Sequence, residues 1–312
     1  MTMRTDPEFT SMTNVNGLIR ETTSAHIPVL DRGFLYGDSI YEVFRTYDGV
    51  PLFYDEHWAR FENSAEMIHL QIGLTKEQMA EEIKQTVHAS GAQTVNRDVY
   101  VRYIVTRGEG ALDLHPEADL STSYVIIVRA VPEWNPELYT QGAALAVART
   151  RRNPRHALDP NIKGGNYLNN VLGVIEARAL GADDCLMLND ADLITEASNS
   201  NVFFVLDGEL VTPSQQAANL RGLTKAAVHA ACGLHGLPTK ETEISVESLQ
   251  KATECFLTSA TREVMPVRSL RVDAQQSYEF PEGGGPVTRR VSGYYRDYVA
   301  DYIAAHRILS VF

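Results

Sequence analysis

From Ser39 to Tyr47 the chain is rich in β-branched and aromatic residues, which predicts a strand. Arg45 and Tyr47 alternate with Phe44 and Thr46, so one face of that strand is polar or amphipathic. Asp48-Gly49 predicts a hairpin turn into Val50-Pro51-Leu52-Phe53. The period then lengthens. Asp55 is expected to cap a helix whose buried face is Trp58, Phe61, Ala65 and Ile68. Arg60, three positions after His57, lies on another stripe and by pattern alone reads as a surface arginine. A second helix is expected over residues 76–89, capped by Thr75 and closed by Gly91. Strands follow over 99–107, with Tyr100 and Arg102 on one face, and over 123–131. A loop is expected over 108–116, and Pro132 to Pro136 breaks the pattern as a linker does.

Beyond that break a strand is expected over 143–149. Leu168, Val171, Leu172, Ile175 and Ala179 then fall at helical spacing and predict one buried helix face, ended by Gly181. Short apolar strands over 185–188 and 193–197 flank a turn at 189–192, which puts Glu196 at a strand end. A hairpin over 202–211 turns at Asp207-Gly208. Arg221-Gly222-Leu223-Thr224 opens a helix to about Cys232, and Ser245 is expected to cap a shorter one. A strand over 254–258 ends in the hydroxyl-rich turn 258–262, and a last amphipathic helix is expected over 288–306. The division this implies is a small N-terminal domain over 12–131, a linker over 132–142 and a large domain over 143–312. Residues 1–11 are set aside as a vector-derived leader, because Asp6-Pro7-Glu8-Phe9 resembles a translated cloning site; a natural start is expected at Met12.

Composition narrows the function classes. A hydrophobic fraction of 44% and a charged fraction of 22% are those of an ordinary globular protein. The net charge of −12, with no long basic run, argues against a nucleic-acid partner. Arg151, Arg152 and Arg155 form one compact basic cluster, which Pro154 marks as a loop. No apolar run reaches the roughly 18–20 residues a membrane span needs. Cys185, Cys232 and Cys255 lie far apart in apolar settings, so they read as core residues of a reducing compartment. No metal site is expected, and with no signal-peptide pattern the location expected is cytoplasmic.

The candidate chemistry begins at Lys163-Gly164-Gly165-Asn166-Tyr167-Leu168. Two glycines let backbone or a flat ligand approach the lysine closely, and a partly desolvated lysine can act as an amine nucleophile. The start of a helix at Gly222-Leu223-Thr224 offers free N–H groups that suit a phosphate or ordinary capping. An imine-forming lysine, an arginine, a carboxylate and such a helix start together fit a pyridoxal phosphate site.

Phe34-Leu35-Tyr36-Gly37-Asp38, His57-x-x-Arg60, the Lys163 segment, Thr195-Glu196-Ala197-Ser198-Asn199-Ser200-Asn201 and Gly222-Leu223-Thr224 occur in an order that resembles the class IV aminotransferases, the fold-type IV pyridoxal phosphate enzymes. The resemblance runs from about Gly17 to Tyr298. It implies a two-domain mixed α/β fold, with a smaller N-terminal α+β domain and a larger C-terminal cofactor-binding domain. It further implies an internal aldimine on Lys163, which then shuttles the proton. Arg60, the Leu223 N–H, Thr224 and Thr261 would hold the cofactor phosphate. Glu196 would face the pyridine nitrogen and Tyr167 the ring hydroxyl. Tyr36, Arg45, Tyr100 and Arg102 resemble the substrate pocket of bacterial branched-chain aminotransferases, where Tyr100 would hold the α-carboxylate and Arg102 the distal carboxylate of glutamate. The N–H groups of Ala260 and Thr261 would also meet a substrate carboxylate.

Branched-chain L-amino acids with 2-oxoglutarate as acceptor are therefore the expected substrates, in a homodimer or larger homo-oligomer. Tyr41-Glu42-Val43 resembles the D-amino-acid branch, and Arg262 is an extra arginine that could recruit a carboxylate differently. D-amino-acid or (R)-amine transamination, aminodeoxychorismate lyase activity and a cofactor-free binding module are the alternatives. Ala260 stands where these enzymes usually carry a phosphate-contacting threonine.

Overall fold

Asn16-Gly17, Asp48-Gly49 and Asp207-Gly208 all have positive φ at both residues, the conformation that reverses a strand within two residues. Hairpins built on such turns shape a computed structural model that describes residues 9–312. The chain divides into two compact units. Unit 1 runs to Pro132 and takes in Ile162–Asn166 and Asp301–Phe312; unit 2 holds Glu133–Asn161 and Tyr167–Ala300. Residues 1–8 of the expected leader lie outside the described residues. Phe9 is buried in the unit 1 core, with the Arg97 guanidinium 5.3 Å from its ring centroid.

Unit 1 contains β1 (Met12–Val15), β2 (Leu18–Glu21), a short α1 (Arg32–Tyr36), β3 (Ser39–Tyr47), β4 (Val50–Pro51), α2 (Tyr54–Met67), α3 (Lys76–Ala89), β5 (Val99–Thr106) and β6 (Ser123–Ala130). Its antiparallel sheet has the order β2-β1-β6-β5-β3-β4. Period-two burial sends Ile40, Phe44, Val99, Val101, Tyr103, Val105, Ile126 and Val128 to one core with Trp58, Phe61, Met79 and Ile83 from the helices. Thr75 caps α3 in a reciprocal capping box with Gln78. α2 begins two residues earlier than expected: Phe53, in the left-handed region at φ 56°, is its N-cap, and Asp55 lies in its first turn.

Unit 2 contains α4 (Glu137–Thr140), β7 (Ala143–Val147), α5 (Arg155–Leu158), α6 (Leu168–Ala179), β8 (Asp184–Leu188), β9 (Ile194–Ala197), β10 (Asn201–Leu206), β11 (Glu209–Pro213), α7 (Leu223–Leu234), β12 (Thr239–Thr242), β13 (Ala252–Ser259), β14 (Glu263–Arg271), β15 (Ser277–Glu279) and most of α8 (Pro286–Ala305). Its mixed sheet has the order β12-β11-β10-β13-β14-β7-β8-β9, with β15 paired to β14. The three cysteines are free and buried, and burial pushes the Cys185 thiol up to about 12.

One expectation is reversed here. The stripe Leu168, Val171, Leu172, Ile175 on α6 is exposed, at 71%, 49%, 44% and 59%. Asn170, Gly173 and Ala177 form the buried face instead. A Cβ on Gly173 would stand 2.9 Å from Cys185 Sγ, so small residues let α6 lie close to β8. The 245–251 region also differs: Glu247–Lys251 is a 3₁₀ turn with Val246 at its N-cap, although Ser248 N still donates to Ser245 Oγ at 3.3 Å.

Removing the capping hydroxyl in Thr75→Ala should cost about 1 kcal/mol of unit 1 stability. A lowered urea midpoint for the unit 1 transition checks this, and an unchanged midpoint counts against the capping box.

Candidate functional site

The predicted residues fall on both units. In unit 1 the Lys163 segment runs beside the start of β3. Tyr41 N donates to Lys163 O at 2.8 Å, Gly165 N to Ser39 O at 3.0 Å, and Lys163 N to Ser64 Oγ of α2 at 3.1 Å. A Cβ on Gly164 would stand 2.9 Å from Ser39 O, which explains the glycine: it is β3 backbone that approaches here. Lys163 Nζ lies 3.5 Å from Tyr41 Oη and 4.5 Å from that ring's centroid, while the Arg102 guanidinium lies 3.8 Å from the same centroid. Arg102 Nε is buried with no hydrogen-bond partner. Arg45 lies over Tyr47 at 4.1 Å. Tyr100 is cross-strand from Arg45, and Tyr36 sits on α1 under the Arg32 guanidinium at 4.9 Å.

Arg60 is no surface arginine. Its Nε and Nη2 donate to Glu42 Oε1 and Oε2 at 2.6 and 2.7 Å, and His57 Nδ1 meets Glu42 Oε2 at 2.7 Å. Glu42 points from β3 into the core and is fully buried. Burial alone would raise its carboxyl, but the charges of Arg60 and then His57, with their hydrogen bonds, hold it well below the usual carboxylate range. Burial pushes the His57 imidazole down, against the opposing pull of Glu42. Glu42 escaped the sequence reading as a site residue. Its one signal was a charged residue between Ile40 and Phe44 on the apolar face of β3.

In unit 2, Glu196 on β9 is 5% exposed and fully engaged. Its Oε1 accepts from Arg152 Nε at 2.8 Å and its Oε2 from Leu220 N at 3.1 Å. Arg152 therefore belongs to this carboxylate and not to a solvated loop, and the run continues at once into α5. Arg152 Nη1 also donates to Asn169 Oδ1 at 3.3 Å, and Asn170 Nδ2 to Ser198 O at 2.7 Å, so the first turn of α6 braces the Glu196 region. Tyr167 is the N-cap residue of that helix.

The Leu220–Gly222 turn is held on three sides. Asn201 Nδ2 donates to Leu220 O at 3.0 Å, Arg221 N donates to Asn161 Oδ1 at 3.2 Å, and a Cβ on Gly222 would collide with Asn201 Oδ1. Gly222 is the N-cap of α7 and brings no side chain to its free N–H groups, those of Leu223 and Thr224 included. Ala260 and Thr261 lie in the turn between β13 and β14, where Thr261 O accepts from Trp134 Nε1 at 3.0 Å.

Arg262 does not suit a carboxylate-recruiting role. It is buried, ion-paired to Asp184 at 2.8 Å, bonded to Asn199 at 2.6 Å and to Ser200, and stacked on Trp134.

The family model for amino-transferase class IV matches residues 39–270, a span that includes every group just described apart from Arg32 and Tyr36. The chain belongs to this family. Class IV aminotransferases are pyridoxal phosphate enzymes, and the chain is accordingly a pyridoxal phosphate-dependent aminotransferase of mixed α/β, fold-type IV architecture. It is 34% identical over 81% of its length to a putative branched-chain-amino-acid aminotransferase of Methanocaldococcus jannaschii, covering 85% of that protein. It is 31% identical to a D-alanine aminotransferase of Listeria monocytogenes, over 90% of this chain and 93% of that one. The crystal structure of the Escherichia coli branched-chain amino acid aminotransferase matches with a TM-score of 0.82 at 27% identity, over 90% of this chain and 92% of that one.

The residues present fit the family's cofactor. The uncapped start of α7 suits a phosphate, and Glu196, a buried carboxylate held beside the Arg152 guanidinium, offers oxygen acceptors for a ring N–H.

The Glu42 triad predicts a pH signature. The carboxyl titrates below its ordinary 4.5, so its stabilisation is present above that value and is lost as pH falls further. His57 titrates below its ordinary 6.5 and must be protonated on unfolding, so stability starts to fall as pH drops through about 6.5. Glu42→Gln should cost about 3 kcal/mol at pH 7 by leaving Arg60 without its anion, and should flatten the decline below pH 4.5. Urea melts from about pH 2 to 8 read both effects; parallel curves for the two proteins would reject the account.

Proposed function

We propose that this aminotransferase moves the amino group of a branched-chain L-amino acid to 2-oxoglutarate, with Lys163 as its catalytic residue. The observation that carries the reading is Lys163, whose backbone is held by β3 and α2 and whose amine lies 3.5 Å from Tyr41 Oη, on a ring that the Arg102 guanidinium also covers. Bound pyridoxal phosphate supplies an aldehyde that condenses with amines and a ring that accepts the electrons left by a departing α-proton.

The chain's own residues do the rest. Lys163 Nζ anchors the cofactor and then takes the substrate's α-proton. Arg60, oriented by Glu42, binds phosphate together with the Leu223 N–H, Thr224 and Thr261. Glu196, ion-paired to Arg152, accepts the hydrogen bond of the ring nitrogen's N–H, and Tyr167 donates to the ring hydroxyl oxygen. Tyr36 and Arg45 line the substrate pocket, Tyr100 and the N–H groups of Ala260 and Thr261 take the α-carboxylate, and Arg102 takes the distal carboxylate of glutamate.

A second reading, D-amino-acid transamination, draws support from Tyr41, whose hydroxyl lies at the lysine, and from the D-alanine aminotransferase relative. It finds none in Arg262, whose guanidinium is already taken by Asp184, Asn199 and Ser200.

Saturating the protein with pyridoxal phosphate and mixing it separately with L-leucine, L-glutamate, D-alanine and (R)-1-phenylethylamine separates these readings. Loss of the cofactor's visible band with the two L-amino acids alone is expected; loss with D-alanine moves the assignment to the second reading. Lys163→Ala should lower turnover at least about a thousandfold, and unchanged turnover would reject the central role.

We also propose a cytoplasmic homo-oligomer, at least a dimer, with the exposed α6 stripe covered by a second copy. Ile175→Lys should then shift sedimentation toward monomer; an unshifted dimer places the interface elsewhere.

A further inference from the structure

Within unit 2, the turn that follows Glu196 is fastened to its surroundings at every residue. Ala197 N donates to Ser200 O at 2.8 Å and closes it. Ser198 O accepts from Asn170 Nδ2 on α6 at 2.7 Å, and Asn201 Nδ2 donates to Leu220 O ahead of α7 at 3.0 Å. The two residues between, Asn199 and Ser200, are held by one side chain, Arg262.

Arg262 comes from the turn between β13 and β14 and is 6% exposed. Its Nη1 donates to Asn199 Oδ1 at 2.6 Å and to Ser200 Oγ, its Nη2 pairs with Asp184 Oδ2 at 2.8 Å, and its guanidinium lies 4.6 Å from the Trp134 ring centroid. The backbone of the same turn is clamped as well. Thr261 O accepts from Trp134 Nε1 at 3.0 Å, Arg262 O from Tyr139 Oη at 3.1 Å, and Arg262 N donates to Ser259 Oγ at 3.2 Å. That leaves the N–H groups of Ala260 and Thr261, which no hydrogen bond among the described residues takes.

Two sets of free N–H groups, those of this turn and those at the start of α7, are thus tied to one short segment, residues 198–201. Asn201 makes the tie to α7 and Arg262 makes the tie to the other turn. A cation for Asp184 could equally be a lysine; contacts to Asn199, Ser200 and Asp184 at once need the planar fork of a guanidinium. Donors fixed before a ligand arrives lose little freedom when it binds.

We propose that Arg262 is a positioning residue: it sets the spacing between the 260–261 N–H groups and the start of α7, so that both meet one phosphate. This deepens the reading in which Leu223, Thr224 and Thr261 hold the cofactor phosphate, and rests on it.

The test titrates the full chain, cleared of cofactor, with pyridoxal phosphate and with pyridoxal, the same aldehyde without the phosphate. Visible absorbance gives both dissociation constants, and their ratio is the quantity compared. Arg262→Met combined with Asp184→Asn removes the buried charge on both sides. It should lower the preference for the phosphorylated form about tenfold and change pyridoxal binding less than twofold. Trp134→Phe keeps an aromatic face and loses the bond to Thr261 O, so it should lower the preference about threefold; this variant decides the matter if the double variant does not fold. An unchanged ratio, or equal losses for both ligands, overturns the proposal, because an arginine that only supports the fold affects both alike. A parent protein that binds the two forms equally rejects the phosphate reading itself. A parent that prefers the phosphate, with variants that keep the preference, rejects the role of Arg262 alone.

Discussion

A carboxylate with no access to water must be given its charge partners by the fold, and Glu42 imposes that demand on unit 1. It projects from β3 into an apolar core, and α2 answers with Arg60 and His57. The pairing fixes the rotation and height of α2 against β3, because a bidentate guanidinium tolerates little displacement. Lys163 hangs on those same two elements, through Tyr41 N on β3 and Ser64 Oγ on α2. One buried ion pair thus fixes the two elements that hold the Lys163 backbone.

The sheet separates two environments with one strand pattern. Alternation along β3 sends Ile40, Glu42 and Phe44 inward and Tyr41, Val43 and Arg45 outward. A slip of one residue in β3 would move Glu42 onto the arginine face and bring Arg45 into the core. Unit 2 handles its buried charge in a comparable way: Glu196 is shared between Arg152 and the Leu220 N–H, which ties a strand-end carboxylate to the turn leading into α7.

Much of this was legible in the sequence where local chemistry decides the outcome. The Asp-Gly hairpins, the Thr75 cap, the α7 start and the glycines after Lys163 follow from short-range rules and appear where they were expected. Long-range pairing was not legible. Nothing local ties Arg60 to a glutamate 18 residues earlier, or Arg152 to one 44 residues later. β14 was not read from the sequence; it carries Pro266, a residue unusual in a central strand, yet lies between β13 and β7. The α6 stripe misled because spacing reports an apolar face and not what covers it.

Unit 1 is discontinuous in the chain. Lys163 pairs with β3 across more than a hundred residues, and Val311, whose N–H donates to Gly49 O at 2.9 Å, is buried in the same core. A polypeptide emerging N-terminus first therefore exposes β3 and α2 before their last partners exist. The unit cannot finish folding during its own synthesis; it must wait until all of unit 2 has left the ribosome. During that interval the open β3 edge and the hydrophobic pocket for Val311 are surfaces for a chaperone to hold.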